Sequence, residues 1–255
     1  MVEKIQEKKW QTTVGGETKD DILVRGYKLT DLIEKATFTQ TIFLVLKGVM
    51  PTKKEERIFN AMLVAAVEHG LGTPSTTVAR TVQSCGNQLN ASVAAGIITQ
   101  GDYHGGAIDK CMETLSNALK TNISAKDLVK HALENKNVLH GFGHKVYKQG
   151  DPRTLAIINI LQQENSLGKY VKLVLEMEKE IEKQKGTKIV LNIDGIIAGV
   201  ALDLGFPCEL GKGFFMISRI SGLVAHCTEE LQQHQRFRRI SEDDYEYVGE
   251  KGKKL

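Results

Sequence analysis

Between Gly141 and Arg153 the run GFGHKVYKQGDPR sets one histidine, two lysines and an arginine among glycines and a proline. Glycines let a backbone come close to a ligand, imidazole exchanges a proton near neutral pH, and a guanidinium can grip a carboxylate through two parallel hydrogen bonds. Four further points repeat the pattern of an ionisable residue beside a glycine or at a helix end: Glu68-His69-Gly70, His104-Gly105-Gly106, Asp194-Gly195 and Ser218-Arg219. The chemistry implied is proton transfer on a small, multiply charged acid. Each point also has an ordinary reading. His69 could cap a helix C-terminus, His104 could sit in a turn, and Asp194 could be a helix N-cap. Arg219 is harder to dismiss, because Phe214, Phe215, Met216, Ile217, Ile220 and Leu223 surround it in sequence and a buried charge needs a partner. A ligand carboxylate is one such partner.

Other chemistries fit poorly. His140 and His144 have metal-ligand spacing only on a helix, which Gly141 and Gly143 disfavour, so no metal is expected. The Gly-x-Gly pair lacks the third glycine and the strand-helix setting of a dinucleotide fingerprint. Cys85, Cys111, Cys208 and Cys227 form no Cys-x-x-Cys pair, which suggests reduced thiols. The 255 residues carry a net charge of +3 with basic residues spread along the chain, so nucleic acid is not an expected partner. The charged N-terminus does not read as a signal peptide, and no apolar run reaches the ~18 residues of a membrane span. A cytoplasmic protein without a membrane partner is expected.

The elements that must hold these residues are nearly all helical. Trp10 to Val14 and Ile22 to Arg25 could form a hairpin turning at Gly15-Gly16. Leu29, Leu32, Ile33 and Ala36 keep helical spacing, and Thr39 to Leu46 is apolar enough for a core. Pro51-Thr52-Lys53-Lys54-Glu55 is a capping box opening a helix that runs on to Glu68 and His69, where Gly70 and Gly72 stop it. Ser75 to Ile98 is rich in small residues, which suits helices in close contact. Helices are expected at 107–120, 124–135, 152–163, 170–185 and 214–233. The stretch 189–205 opens with Ile-Val-Leu-Asn-Ile, which would serve as a short strand, although its length favours a buried helix.

Taken in order, these motifs resemble the citrate synthase superfamily from about Arg25 to Val248. Arg25-Gly26-Tyr27 with Gly48-Val49-Met50-Pro51-Thr52, then Gly101 to Ala107, then Gly141 to Arg153 are similar to that family's early, second-histidine and third-histidine motifs, with Lys145 where arginine is usual. The resemblance implies an all-α, citrate synthase-like fold: a large helical domain from 1–104 and 206–255, and a smaller helical lid domain from 105–205. Two features lean toward the citryl-CoA lyase branch. A sizeable part of the synthases' N-terminal region is missing, and Leu191 to Gly195 resembles the lyase module of ATP citrate lyase. His104, in contrast, is the synthase residue.

What the resemblance implies is retro-Claisen cleavage of (3S)-citryl-CoA to acetyl-CoA and oxaloacetate. His144 would accept the hydroxyl proton, His104 would donate to the thioester oxygen, and Asp194 would protonate the enol carbon. His69, Arg153 and Arg219 would bind the carboxylates, with Arg238 or Arg239 reaching in from a second subunit of a homo-oligomer. Lys145 and Lys148 are either coenzyme A phosphate ligands or surface lysines. Coenzyme A would come only as part of substrate and product, with no permanently bound cofactor, and a citryl-CoA synthetase could be a protein partner. The alternatives are a short citrate or 2-methylcitrate synthase and a non-catalytic helical subunit.

Overall fold

The computed structural model describes residues 10–234 and 236–254. Three short antiparallel strands come first, β1 (Gly15–Glu17), β2 (Ile22–Val24) and β3 (Tyr27–Lys28), paired in that order. The hairpin is therefore real, but its turn is not at the two glycines. Thr18 and Asp21 close the turn instead: the Thr18 N–H and hydroxyl both donate to the Asp21 carbonyl, and the Asp21 N–H donates back to Thr18 Oγ1. A side chain that can bond across the turn outweighs backbone freedom here. Gly15 and Gly16 become strand residues facing Val24 and Leu23.

Eleven helices follow among the described residues: α1 (Leu29–Lys35), α2 (Phe38–Lys47), α3 (Lys53–Val64), α4 (Pro74–Ser84), α5 (Leu89–Ile98), α6 (Ala107–Lys120), α7 (Ala125–Glu134), α8 (Pro152–Gln163), α9 (Lys169–Lys185), α10 (Ile193–Asp203) and α11 (Gly211–Gln232). Capping boxes at Thr37/Gln40 and Thr52/Glu55 open α2 and α3, with hydroxyl and carboxamide or carboxylate each satisfying a free N–H. The small-residue stretch forms α4 and α5 in close contact. A Cβ on Gly96 would lie 2.9 Å from the Ser75 carbonyl and 3.0 Å from Ala79 Cβ.

Two expectations change. Helix α3 stops at Val64 rather than running to His69. The N–H groups of Ala66 and Val67 turn to carbonyls three residues back, and the Glu68 carboxylate then takes the N–H groups of His69 (2.8 Å) and Gly70 (2.5 Å). A side chain competing for backbone donors ends the helix one turn early. Stretch 189–205 is both readings at once: Leu191 bridges antiparallel to Phe142, and the buried helix α10 begins at Ile193.

Among the described residues a main hydrophobic core runs through the molecule, with a small second cluster of Ala79, Val93, Leu223 and Cys227 between α4, α5 and α11. At the middle of the main core Phe43, Phe59, Phe206 and Phe214 meet with ring centroids 5.0–6.1 Å apart, four of the contacts edge to face and Phe59 stacked on Phe206. Helix α4 packs on α5 and α11, while α10 packs on α6 and α9. The polar residues of interest lie where these two groups of helices meet.

Candidate active site

Asn192 starts α10 and fixes what faces it. Its Oδ1 accepts from the N–H groups of Asp194 (3.0 Å) and Gly195 (3.2 Å), and its Nδ2 donates to the Gly143 carbonyl (2.9 Å). The Asn192 N–H donates to the Gly141 carbonyl at 3.0 Å, and the Gly143 N–H to the Val190 carbonyl at 2.7 Å. Gly141 and Gly143 hold φ of +89° and +88°, a region that side chains disfavour. A Cβ on Gly141 would stand 2.6 Å from Gly195 Cα, and one on Gly195 would stand 2.5 Å from the Gly141 carbonyl oxygen. The loop thus touches the first turn of α10 backbone to backbone, which sets His144 beside Asp194.

The backbone also decides the tautomer of His144. Its Nδ1 accepts from the N–H groups of Val146 and Tyr147, both at 3.0 Å. A nitrogen that accepts carries no proton, so the proton of the neutral ring is on Nε2. In that tautomer His144 presents Nε2–H to the cavity, and the 3.5 Å approach of Arg153 Nη2 to Nε2 is a contact between two donors rather than a hydrogen bond. Tyr147 lies against the imidazole with centroids 4.6 Å apart.

A cavity of about 170 Å³ gathers His69, His104, His144, Arg153, Asp194 and Arg219 on its walls. Burial drives the Asp194 carboxyl up to about 6, while the charges of Arg153 and Arg219 pull the other way. Burial also pushes His104 down from its usual value, helped by the Arg219 charge and then by His69. For His69 the order is burial, then Arg153, then Arg219. These rings lean toward the neutral form, able to donate one hydrogen bond and accept another. His104 Nε2 is 2.8 Å from the Ser75 hydroxyl, and its ring stands edge-on to Phe215 at 5.4 Å.

The two arginines differ. Arg153 spends its fork on its neighbour: Nε to Asp151 Oδ1 (3.0 Å) and Nη2 to Oδ2 (2.7 Å), leaving Nη1 3.5 Å from His69 Nδ1. Asp151, the N-cap of α8, is buried; burial would raise its pKa, but the hydrogen bond and charge of Arg153 hold it below the usual carboxylate range. Arg219 is 1% exposed, with Nε on the Ala66 carbonyl (3.1 Å), its guanidinium 4.7 Å above the Phe215 ring, and a buried Nη1 without a partner among the described residues. An unpaired N–H at a cavity wall fits an incoming carboxylate.

Lys145 and Lys148 lie outside this cavity on the exposed side of the turn, where Lys148 Nζ donates to the His144 carbonyl at 2.8 Å. Arg238 is also elsewhere. Its Nε donates to Glu230 Oε1 (2.7 Å) and its backbone N–H to Ser84 Oγ (2.8 Å) within the same chain. Arg239 is exposed. Sequence reasoning missed Ser75, Asp151 and Asn192. Asn192 and Asp151 carried a usable signal, each a cap-type residue ahead of a helix, the second followed by proline at the first turn.

The chain is similar to known proteins along most of its length. A profile of "Citrate synthase, C-terminal domain" matches residues 51–241. Citrate/2-methylcitrate synthase of Bacillus subtilis (strain 168) is 31% identical over 211 residues, covering 81% of this chain and 56% of that protein. The chain thus spans about half the length of the curated relatives it matches. A solved structure of citryl-CoA lyase from Hydrogenobacter thermophilus superimposes with a TM-score of 0.94 at 42% identity, covering 97% of this chain and 98% of that one. ATP citrate lyase from Methanothrix soehngenii, solved in complex with citrate and coenzyme A, shares the fold: TM-score 0.86, 22% identity, 95% of this chain and 42% of that one.

Proposed function

The chain belongs to the citrate synthase family, and from that premise we propose that it cleaves citryl-CoA to acetyl-CoA and oxaloacetate as a citryl-CoA lyase. The observation that carries the reading is the single small cavity in which a carboxyl raised to about 6 faces three histidines and two arginines. The likeness to the Hydrogenobacter thermophilus lyase over both whole chains favours cleavage over condensation. At about 170 Å³ the cavity is smaller than the ~300–1,000 Å³ of sites that enclose a drug-sized ligand. It suits the acid end of the substrate, with the coenzyme chain outside its mouth near Tyr103.

In this reading Arg219, with its free Nη1, and Arg153 Nη1 take carboxylates, and His69 adds a hydrogen bond. His144 Nε2–H donates to the C3 oxygen as the hydroxyl becomes a ketone. Ser75 donates to His104 Nε2, which leaves Nδ1–H to bind the thioester oxygen while the enol forms. Asp194 delivers a proton to the enol carbon, which becomes the methyl of acetyl-CoA. Neither His144 Nε2–H nor the protonated Asp194 can take the hydroxyl proton, so it passes to solvent, and Asp194 recovers a proton from solvent after each turnover, so uptake and release cancel. Run backwards, the same carboxylate is the base for condensation, which is how a citrate or 2-methylcitrate synthase would use the site. A helical division at 105–205, a homo-oligomer with Arg239 reaching a neighbouring site, and a citryl-CoA synthetase partner belong to the same reading.

Free thiol and ketone are followed on mixing the protein with citryl-CoA, and separately with acetyl-CoA plus oxaloacetate. Acetyl-CoA and oxaloacetate appear from citryl-CoA in equal amounts if the reading holds. Thiol release only from acetyl-CoA plus oxaloacetate assigns a synthase, and silence in both assays overturns catalysis.

A further inference from the structure

Along α11, Arg219, Gly222, His226 and Glu230 follow one another at intervals of three and four residues, so they lie on one stripe of the helix. Arg219 heads the stripe at the cavity. Below it, Gly222 makes room for Glu68, since a Cβ there would collide with the Glu68 carboxylate and come within 2.6 Å of the Val67 carbonyl. His226 comes next, with Nε2 3.1 Å from Glu68 Oε1 and Nδ1 3.3 Å from Arg80 Nη1. Arg80 is 2% exposed and Glu230 1%, and they pair through Nε and Oε2 at 2.6 Å. Arg80 Nη1 also meets Glu229, whose Oε2 is 3.8 Å from His226 Nδ1.

The direction of these bonds is set by what each atom can do. Arg80 only donates, so His226 Nδ1 accepts, and the ring proton on Nε2 goes to Glu68. That same oxygen, Glu68 Oε1, receives the N–H groups of His69 and Gly70, the two bonds that end the α3 turn. Although burial opposes it, the hydrogen bond from His226, followed by those two N–H groups, holds Glu68 below the usual carboxylate range. None of Glu68, His226 and Arg80 lines the cavity.

We propose that His226 is a positioning residue for the acid-binding cavity, acting through Glu68 to hold the His69–Gly70 backbone where His69 faces Arg153 and His144. The role rests on the proposed citryl-CoA reaction only for its kinetic consequence; the geometry it controls can be read without any substrate. A neutral donor and acceptor at 226 is what the relay requires. Glutamine supplies both, an amide N–H for Glu68 and a carbonyl for Arg80, whereas leucine supplies neither.

The experiment compares wild type with His226→Leu, His226→Gln and Glu68→Gln. Loss of a binding contact shared by ground and transition states raises KM and spares kcat. His226→Leu is expected to raise KM for citryl-CoA about 10-fold, the scale of one lost hydrogen bond to a charged group, with kcat within about 3-fold. Backbone amide exchange, measured without substrate, should quicken at His69 and Gly70 and stay unchanged in α6. His226→Gln should restore both. If His226→Leu does not fold, Glu68→Gln, which keeps an acceptor oxygen but removes the charge that strengthens its bonds to His69, Gly70 and His226, should show the same pair of effects at smaller size. Unchanged exchange at His69 and Gly70 overturns the proposal, as does a fall in kcat at constant KM. If the wild type does not cleave citryl-CoA, the reaction assignment falls, and the exchange data alone decide the role of His226.

Discussion

Two walls of the cavity are built on different principles. The wall carrying His144 and Asp194 is held by contact: Gly141 lies against Gly195, and Asn192 stitches the loop to the first turn of α10 with neutral hydrogen bonds. The wall carrying His69 and Arg219 is held by charge, with Glu68, His226, Arg80 and Glu230 passing hydrogen bonds along α11. Contact tolerates changes of charge and no change of size. A charged relay tolerates neither loss of charge nor wrong hydrogen-bond direction, yet it can give by small side-chain movements. In the proposed reaction the groups that move or donate protons stand on the first wall, and those that grip the acid stand mostly on the second.

The sharpest test of that division is Asp194→Asn, which keeps shape and removes the transferable proton. Turnover of citryl-CoA should fall ~10³-fold or more, within the range for losing a general acid, while circular dichroism stays native. Next comes Gly195→Ala. Its Cβ would meet the Gly141 carbonyl at 2.5 Å, and a shift of the loop by about an ångström should cost ~10²-fold in kcat/KM with a lowered Tm. If Gly195→Ala is as active as wild type, the contact wall is not rigid. On the other wall, Arg219→Lys keeps the charge but loses the second guanidinium arm, and KM should rise ~10-fold with kcat little changed.

The smallest expected effect concerns stability and pH. The folded-state pKa of Asp194 is raised from 3.8 to about 6 by burial. The native protein therefore holds this proton more tightly than the unfolded chain. Its contribution to stability is fully present below about pH 4 and is lost as pH rises through about 6. Asp194→Asn, which never ionises, should have a Tm a few degrees higher than wild type at pH 8 and nearly equal to it at pH 4. Equal Tm differences at both pH values would place the carboxyl in a wetter setting than its burial indicates. For catalysis the sign is direction-dependent: kcat for cleavage should decline above about pH 6, while condensation should gain.

Much of the contact wall was legible in the sequence. The glycines flanking His144, the Asp-Gly pair and the helices α6 and α8 announce themselves locally, through backbone freedom, proline at a first turn and apolar spacing. The pairing of Gly141 with Gly195 did not, because nothing local says which glycines will meet. The charged wall was legible at its ends only. His69 and Arg219 stood out by type, but Glu68 read as one more helix residue and His226 as nothing at all, since their meaning comes from chain segments 150 or more residues apart. The pairing of Arg238 with buried Glu230 was hidden for a related reason, since nothing local links an arginine past the last helix to a carboxylate inside it. The hairpin register was missed because Thr18 and Asp21 bond across the turn, a side-chain preference that outweighed the glycine pair.

The meeting of Gly141 and Gly195 also bears on how this protein can change. Most packed positions are negotiable, because a larger residue on one side can be answered by a smaller one on the other. Here both partners are already at the minimum, and each blocks the other's Cβ with main-chain atoms that no substitution can shrink. A library randomised at both positions together should return the glycine pair almost alone, and drift in the acid-binding wall should have to proceed through the side-chain relay instead.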